Sequence, residues 1–353
     1  MIRVLIVDDS AFMRKALSIM LEGDPEVEVV GTARDGLEAI EKVRELKPDI
    51  VTLDVEMPRM DGLTALRRIM REHPVPVIMV SSLTQEGAQA TIEALEAGAV
   101  DFIPKQHSYV SIEISRIRAE LLEKIKTIAR TRPLPTRRRS AAPGTEALPA
   151  FRFREARAIA IGVSTGGPRA LQQVIPALPA DLPVPVLIVQ HMPPHFTRSL
   201  AERLNSLSPL TVVEAEEGMP LEPGRVFLAP GGRHLVLERR NGHVPVIRTP
   251  VEPATLHRPS VDVMFQSVCQ AFGGKVLAVV MTGMGRDGLE GARLIKQHGG
   301  KVITQDEATC VVYGMPRAVA EAGLSDAVLP LEQIGPFLAR SLGCTPVAQP
   351  VSP

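Results

Sequence analysis

The sequence predicts two α/β domains joined by a linker, and three observations carry that reading. Short β-branched runs alternate with helical spacings over the first 125 residues or so. A proline- and arginine-rich stretch then breaks the pattern near residue 130, and a second alternation with a β-rich excursion follows it. At 353 residues the chain is too long for one ordinary domain and suits two of average size.

Ile2–Val7, Val27–Gly31, Asp49–Leu53, Val75–Val80 and Val100–Ile103 read as strands, with helical patterns between them. In the last helical stretch Ile114, Ile117, Leu121, Ile125 and Ile128 recur at spacings of three and four, which places them on one helix face. Strand–helix alternation implies a parallel sheet covered on both sides. Five such units predict a flavodoxin-like (βα)5 domain over residues 1–125.

Residues 126–154 read as the interdomain linker. Thr131 to Thr145 holds three prolines and little apolar periodicity. Its Arg137-Arg138-Arg139 run reads as a solvated linker surface, with a nucleic-acid patch as the alternative. Residues 155–345 predict a doubly wound α/β domain with a β-hairpin insertion. Its buried strands are expected at Ala158–Val163, Val186–Gln190, Lys275–Met281 and Lys301–Thr304. Arg225–Ala229, His234–Arg239 and Val244–Arg248 read as antiparallel strands, and Asn241-Gly242 is a type I′ hairpin signal because both central residues need positive φ.

Composition removes several function classes. Lys plus Arg and Asp plus Glu number 40 each, so the formal net charge is zero, against a dedicated nucleic-acid binder. Aromatic residues are 3% and Trp is absent, which leaves few platforms for stacking bases. Cys269, Cys310 and Cys344 make neither a disulfide framework nor a CxxC metal motif. No apolar run reaches the roughly 18 residues of a membrane span. Met1-Ile2-Arg3-Val4 runs straight into a strand without a signal peptide, so a cytoplasmic protein without membrane insertion is expected.

Carboxylates collect where strands of the first domain end. Asp8 and Asp9 close the first strand and Asp54 the third, and parallel strands deliver such ends to one crevice. Each alone could be a helix N-cap. Together they repel one another unless a cation intervenes, and oxygen ligands with room for water suit Mg²⁺. Ser81 and Lys105 end later strands on the same edge, where a hydroxyl and an ammonium could contact a phosphoryl group on Asp54. With Met57-Pro58 and Asp61-Gly62, these residues resemble a response-regulator receiver domain. The resemblance implies phosphorylation of Asp54 by a histidine kinase. It implies Mg²⁺ held by Asp9, Asp54 and the Glu56 carbonyl, with Asp8 acting through a water and Phe102 at the aromatic switch position. Gln106 follows Lys105 where the family usually has Pro, and Pro104 precedes it.

The second domain has its own convergence. Gly162-Val163-Ser164-Thr165-Gly166 fits G-x-S-x-G on a strand-to-helix turn, although a Gly-rich phosphate-binding turn has the same look. His191 ends the strand Val186–Gln190, and Asp287 follows the strand ending at Met281 on a loop entering a helix. A lone His is often structural and a lone Asp an N-cap, but the three meet at one sheet edge, as a Ser-His-Asp triad requires. Their order differs from that of the α/β-hydrolases. Backbone N–H groups, Met284 first among them, would stabilise an oxyanion with help from Thr165. His257, Ser260 and Asp262 form a rival trio too close in sequence for triad geometry, and His195 is a rival base farther from its strand end.

Residues 155–345 resemble the catalytic domain of chemotaxis protein-glutamate methylesterases through Ser164-Thr-Gly-Gly, Gln190-His191-Met-Pro, Pro259-Ser-Val-Asp262 and Thr282-Gly-Met-Gly-Arg-Asp-Gly288. The resemblance implies hydrolysis of γ-glutamyl methyl esters on chemoreceptors, deamidation of selected receptor glutamines, and a receiver that blocks the site until phosphorylated. No cofactor is implied for the ester reaction itself. Two other readings are a regulator with a DNA-binding output and a nucleotide binder. The first lacks a helix-turn-helix and a basic output half; the second lacks G-x-x-x-x-G-K-[ST].

Overall fold

A computed structural model describes residues 1–105, 111–130, 152–239 and 245–347, with side chains of 111–116 outside the description. Gln106, Arg137-Arg138-Arg139, the Asn241-Gly242 turn and the side chain of Ile114 therefore lie outside the described residues. The chain divides into two compact units, residues 1–140 and 141–353.

The first unit runs β1 (Ile2–Val7), α1 (Ala11–Leu21), β2 (Val27–Ala33), α2 (Gly36–Leu46), β3 (Ile50–Asp54), α3 (Gly62–Glu72), β4 (Val77–Ser82), α4 (Gln85–Ala97), β5 (Asp101–Lys105) and α5 (Ser111–Arg130). Its five strands are all parallel in the order β2-β1-β3-β4-β5, as the alternation predicts. The sheet is buried on both faces: every residue of β3 is buried, and Leu121, Ile125 and Ile128 of α5 are sealed in the core. Caps set the helix starts. Ser10 Oγ accepts from Met13 N, Asp61 Oδ1 from Thr64 N at 2.8 Å, and Thr84 Oγ1 from Gly87 N at 3.0 Å. Gly62 is required by crowding, because a Cβ there would fall 1.9 Å from the Asp54 carbonyl oxygen. The chain after β3 thus folds tightly back over that strand's end.

The second unit continues with β6 (Ala158–Val163), α6 (Gly167–Val174), β7 (Val186–Gln190), α7 (Phe196–Leu207), β8 (Thr211–Glu214), β9 (Arg225–Leu228), β10 (Val236–Glu238) and β11 (Val246–Arg248). It closes with α8 (Val261–Phe272), β12 (Val276–Val280), α9 (Leu289–Gln297), β13 (Lys301–Gln305), α10 (Met315–Glu321), β14 (Ala327–Leu329) and α11 (Leu331–Ser341). Seven strands form a parallel sheet in the order β14-β13-β12-β6-β7-β9-β8. The chain leaves β6 toward β7 and later returns to β12 on its other side, so the strand order reverses at β6. Crevices form at such reversals, outside the C-terminal strand ends. Phe227 and Phe265 are fully buried in the core between this sheet and α8.

The excursion corrects one expectation. β10 and β11 pair antiparallel, as expected, with Leu237 opposite Ile247. The stretch from Arg225 does not join them; as β9 it pairs parallel with β7 and β8 in the main sheet. Its Val226, Phe227 and Leu228 are all buried, a run that fits a two-sided core better than a hairpin with one wet face. The short strands β8 and β14 have no counterpart in the sequence reading.

Asp326, just before β14, ties three elements together. It accepts from Lys296 Nζ at 2.7 Å, Lys301 Nζ at 3.1 Å and Val302 N at 2.8 Å. Burial works to raise its carboxyl pKa, but the bonds from Lys296, Val302 and Lys301 together outweigh burial and hold it below the ordinary 3.8. A depressed folded-state pKa contributes stability that is present above the unfolded value and lost as pH falls toward the folded one. Asp326→Asn is therefore expected to cost about 1–2 kcal/mol at neutral pH. The gap from the parent protein should shrink below about pH 4. Urea titrations at several pH values check this, and a gap unchanged from neutral pH to pH 3 would count against it.

Candidate active site and acidic acceptor site

In the first unit the strand reversal lies between β1 and β3, and the acidic residues stand there. One carboxylate oxygen each from Asp8, Asp9 and Asp54 lies within 4.8 Å of the others. Asp8 and Asp54 are buried while Asp9 is exposed. Lys105 Nζ reaches from β5 to Asp8 Oδ2 at 2.9 Å and Asp54 Oδ2 at 2.7 Å. Beyond those ion pairs neither oxygen receives a well-aligned hydrogen bond among the described residues. The other oxygens are held by backbone: Asp8 Oδ1 by Ser10 N at 2.9 Å, Asp54 Oδ1 by Glu56 N at 3.3 Å.

The electrostatics are unbalanced. Burial pushes the Asp54 carboxyl up to about 6, the Asp8 charge adds to it, and Lys105 opposes both. Burial works against the Lys105 ammonium, but Asp54 and Asp8 hold its pKa above the ordinary lysine value. Three carboxylates facing one ammonium leave an excess of two negative charges. With one exposed member and two buried oxygens short of donors, the donor set fits a hard divalent cation such as Mg²⁺.

Two further expected members of this site lie on β4 and β5. The Ser81 hydroxyl is fully buried and donates to the Gly87 carbonyl at 3.0 Å rather than to Asp54. Phe102 is buried, its carbonyl accepting from Lys124 Nζ at 2.8 Å while that ammonium stands 5.7 Å from the ring centroid. The Glu56 side chain is exposed.

In the second unit the register of β6 and β7 pairs Val163 with Gln190, so Ser164 and His191 leave the sheet side by side. The next bonds fix them there: His191 N donates to Val163 O at 3.2 Å, and Ser164 N to Thr282 O at 3.0 Å on the other flank. Gly166 makes the turn, with φ near +78°, a conformation a side chain would strain. The Ser164 carbonyl accepts from Gly167 N at 2.8 Å and from the buried Gln190 side chain at 3.0 Å. Thr282 braces the facing loop. Its hydroxyl donates to Thr165 O at 2.9 Å and accepts from Val311 N and Val312 N, each at 3.1 Å. Its N–H is held by Gln305 Oε1 at 2.9 Å.

His191 Nε2 stands 2.8 Å from Asp287 Oδ2. Asp287 also accepts from Ser260 Oγ at 3.0 Å, Val261 N at 2.8 Å and Asp262 N at 2.9 Å, all at the N-terminus of α8. It therefore fills donors that a helix start leaves unpaired and sits at the positive end of the helix dipole. Burial alone would raise its pKa; the His191 contact and the α8 N–H groups win and hold it well below the carboxylate range. The neighbouring Asp262 is pushed the other way, up to about 6, by burial and the Asp287 charge against a bond from Gly291 N.

With Nε2–H committed to Asp287, the proton acceptor left on the ring is Nδ1, which is buried and has no hydrogen-bond partner among the described residues. The Ser164 hydroxyl likewise makes no hydrogen bond among the described residues. The Met284 N–H, on the loop beside Ser164, is also unbonded there, and the Thr165 side chain is buried. This arrangement can deprotonate an alcohol at Nδ1 and offer an N–H to a nearby oxyanion.

The rival trio turns out to serve the same centre. His257 stacks on His191 with ring centroids 4.2 Å apart and planes 17° from parallel. Ser260 and Asp262 supply donors to Asp287. His195 is exposed at the start of α7 and does not join the network. Sequence reasoning missed the supporting roles of Gln190, Thr282 and Gln305. Their one signal was polarity at the ends of otherwise apolar strands.

Comparison with known proteins identifies both halves of the chain by family. Residues 159–338 match the family model for the CheB methylesterase, and residues 4–114 match that for the response regulator receiver domain. A protein-glutamate methylesterase/protein-glutamine glutaminase of Nitratidesulfovibrio vulgaris is 51% identical over 366 residues, spanning 97% of this chain and 100% of its own. The corresponding protein of Pyrococcus abyssi is 51% identical over 346 residues, spanning 97% and 94%. The crystal structure of the Thermotoga maritima CheB methylesterase catalytic domain superposes with a TM-score of 0.51 at 45% identity, covering 53% of this chain and 97% of that one.

The acidic cluster gives a direct expectation. Asp9→Asn should weaken Mg²⁺ binding by at least about tenfold in titration calorimetry. Unchanged affinity would remove Asp9 from the cation site.

Proposed function

The chain belongs to the CheB methylesterase family, and we propose that Ser164, His191 and Asp287 are the triad through which it acts. The protein is a protein-glutamate methylesterase/protein-glutamine glutaminase of chemotactic adaptation, carrying a receiver domain in front of its hydrolase. The observation that carries the triad is the 2.8 Å contact of His191 Nε2 with Asp287, which leaves Nδ1 unpartnered beside the strand end bearing Ser164.

In this reading His191 Nδ1 takes the Ser164 proton as Oγ attacks the γ-carbonyl carbon of a receptor glutamyl ester. The Met284 N–H, with Thr165, stabilises the oxyanion; one such donor is typically worth roughly 3 kcal/mol. His191 then returns the proton to the departing methanol. Asp287 stabilises the imidazolium meanwhile, as its four donors keep it charged. Water repeats the sequence on the acyl-enzyme and releases a glutamate carboxylate. A glutamine side chain presents the same carbon with ammonia as leaving group, so one centre serves both reactions.

Residues 1–125 act as the receiver and 155–345 as the catalytic domain, joined by 126–154. Asp54 takes a phosphoryl group from a chemotaxis histidine kinase, Lys105 pairs with it, and hydrolysis rises as a result. Asp9, Asp54 and the Glu56 carbonyl would hold Mg²⁺, with Asp8 contacting it through a water. Bound there, the cation supplies neutralising charge for an acceptor that already carries too much of the other sign. Ser81 exchanges its bond to Gly87 for one to the phosphoryl group, and Phe102 follows. The substrates are methyl-accepting chemoreceptors. Among the described residues no helix is long and apolar enough to cross a membrane. The reading places the chain in the cytoplasm, where a kinase can reach Asp54, and gives nucleic acid no part.

Methanol release from methylated receptor membranes tests this. Ser164→Ala is expected to lower turnover at least about 10³-fold with the fold intact. Near-normal turnover by that variant would overturn the mechanism. Asp54→Asn should retain unstimulated activity and lose its response to acetyl phosphate; activation of that variant would overturn the gating.

A further inference from the structure

His234, which precedes β10, is fully buried and engaged at both ring nitrogens. Nε2 lies 2.9 Å from the Pro253 carbonyl, and Nδ1 lies 3.3 Å from the Ser260 N–H. A carbonyl only accepts and a backbone N–H only donates, so Nε2 carries the proton and Nδ1 offers its lone pair. Those partners admit only the neutral ring.

The Ser260 contact leads into the catalytic centre. Ser260 Oγ donates to Asp287 Oδ1 at 3.0 Å, the next two N–H groups donate to the same carboxylate, and its other oxygen holds His191 at 2.8 Å. The Pro253 contact belongs to the same frame. His234 N also donates to Pro250 O at 2.8 Å, so one residue pins two points of the segment that delivers His257 to the face of His191. One side chain thus braces the catalytic imidazole at its edge, through Asp287, and at its face, through the 250–257 segment.

The geometry points to His234 as a positioning residue for the hydrolytic reaction. By accepting from the Ser260 N–H it sets the start of α8, hence the angle of the Asp287 carboxylate, hence the plane of His191. A filler role would be met by an apolar ring of similar size, at no desolvation cost; a buried imidazole is costly unless both polar atoms are paired. This inference rests on the assignment of Ser164, His191 and Asp287 to the triad.

Three substitutions separate the two contacts. His234→Asn places an amide oxygen near the Nδ1 position and keeps the acceptor for Ser260. His234→Gln places an amide nitrogen near the Nε2 position and keeps only the donor for Pro253. His234→Phe keeps neither and preserves volume. Methanol release by the full chain should show kcat reduced about tenfold in the Gln and Phe variants, with KM within about twofold, and largely restored in the Asn variant. The downfield ring-proton resonance of His191, identified by its loss in Asp287→Asn, should move in the Gln variant and return in the Asn variant. If Phe does not fold, the Asn–Gln pair decides the matter. Folded Gln and Asn variants with equal kcat and an unmoved His191 resonance would overturn the proposal. So would long-range ¹H–¹⁵N imidazole spectra of the unmodified chain showing His234 protonated on Nδ1 at neutral pH. Ser164→Ala runs alongside: turnover surviving in it would sink the triad assignment. An inactive Ser164→Ala beside a fully active Gln variant would sink only the role of His234.

Discussion

A strand in a parallel sheet hands its successor residue to the same edge as its neighbours, and this constraint underlies both halves of the protein. Each sheet reverses its strand order once near the first strand of its unit, β1 in one and β6 in the other. Each reversal opens a gap between diverging connections, and each gap holds a small set of reactive side chains spaced by strand register. Asp8 and Asp54 meet because β1 pairs with β3; Ser164 and His191 leave neighbouring strands in step because β6 pairs with β7. No long-range search is needed to assemble either group once the sheets form.

Both gaps also hold carboxylates, buried in the first and half-buried in the second, and the two units stabilise them by different means. In the first, Lys105 balances part of the charge and the remainder favours a divalent cation, so the site is poised to respond to added charge. In the second, Asp287 is neutralised by the start of a helix and by one imidazole, a fully satisfied arrangement that holds its place. The difference suits a switch on one side and, in the proposed triad, a preorganised hydrolytic centre on the other. Backbone N–H groups cannot leave their carboxylate, while an ammonium on a flexible stem can.

Much of this was legible in the sequence because short-range pattern and topology agree. Apolar runs ending in Asp, Ser or His mark strand ends that face a crevice, and the five-strand sheet and four of the seven strands of the second sheet follow from alternation. What escaped detection has physical causes. β9 was expected in the hairpin because its run abuts β10 and β11, and partner choice is not encoded by a run of four apolar residues. β8 and β14 are short edge strands with exposed positions and little periodicity. His257, Ser260 and Asp262 read as competitors in the sequence, which gives no orientation; the stack and the helix start that make them supports appear only in space. Ser81 stands near the end of β4, and the bond of its hydroxyl to Gly87 is a rotamer outcome that residue identity does not determine.

The way Asp287 grips His191 has a consequence for reagents. The ring nitrogen farther from the main chain is capped by a carboxylate, and in the proposed triad the nitrogen adjacent to Cγ is the one that takes the proton. Electrophiles built to alkylate an outward-facing Nε2 meet an occupied position here. An affinity label for this enzyme must instead approach from the Ser164 side and bond a hindered atom close to the β7 backbone, which favours short, flat warheads over bulky ones.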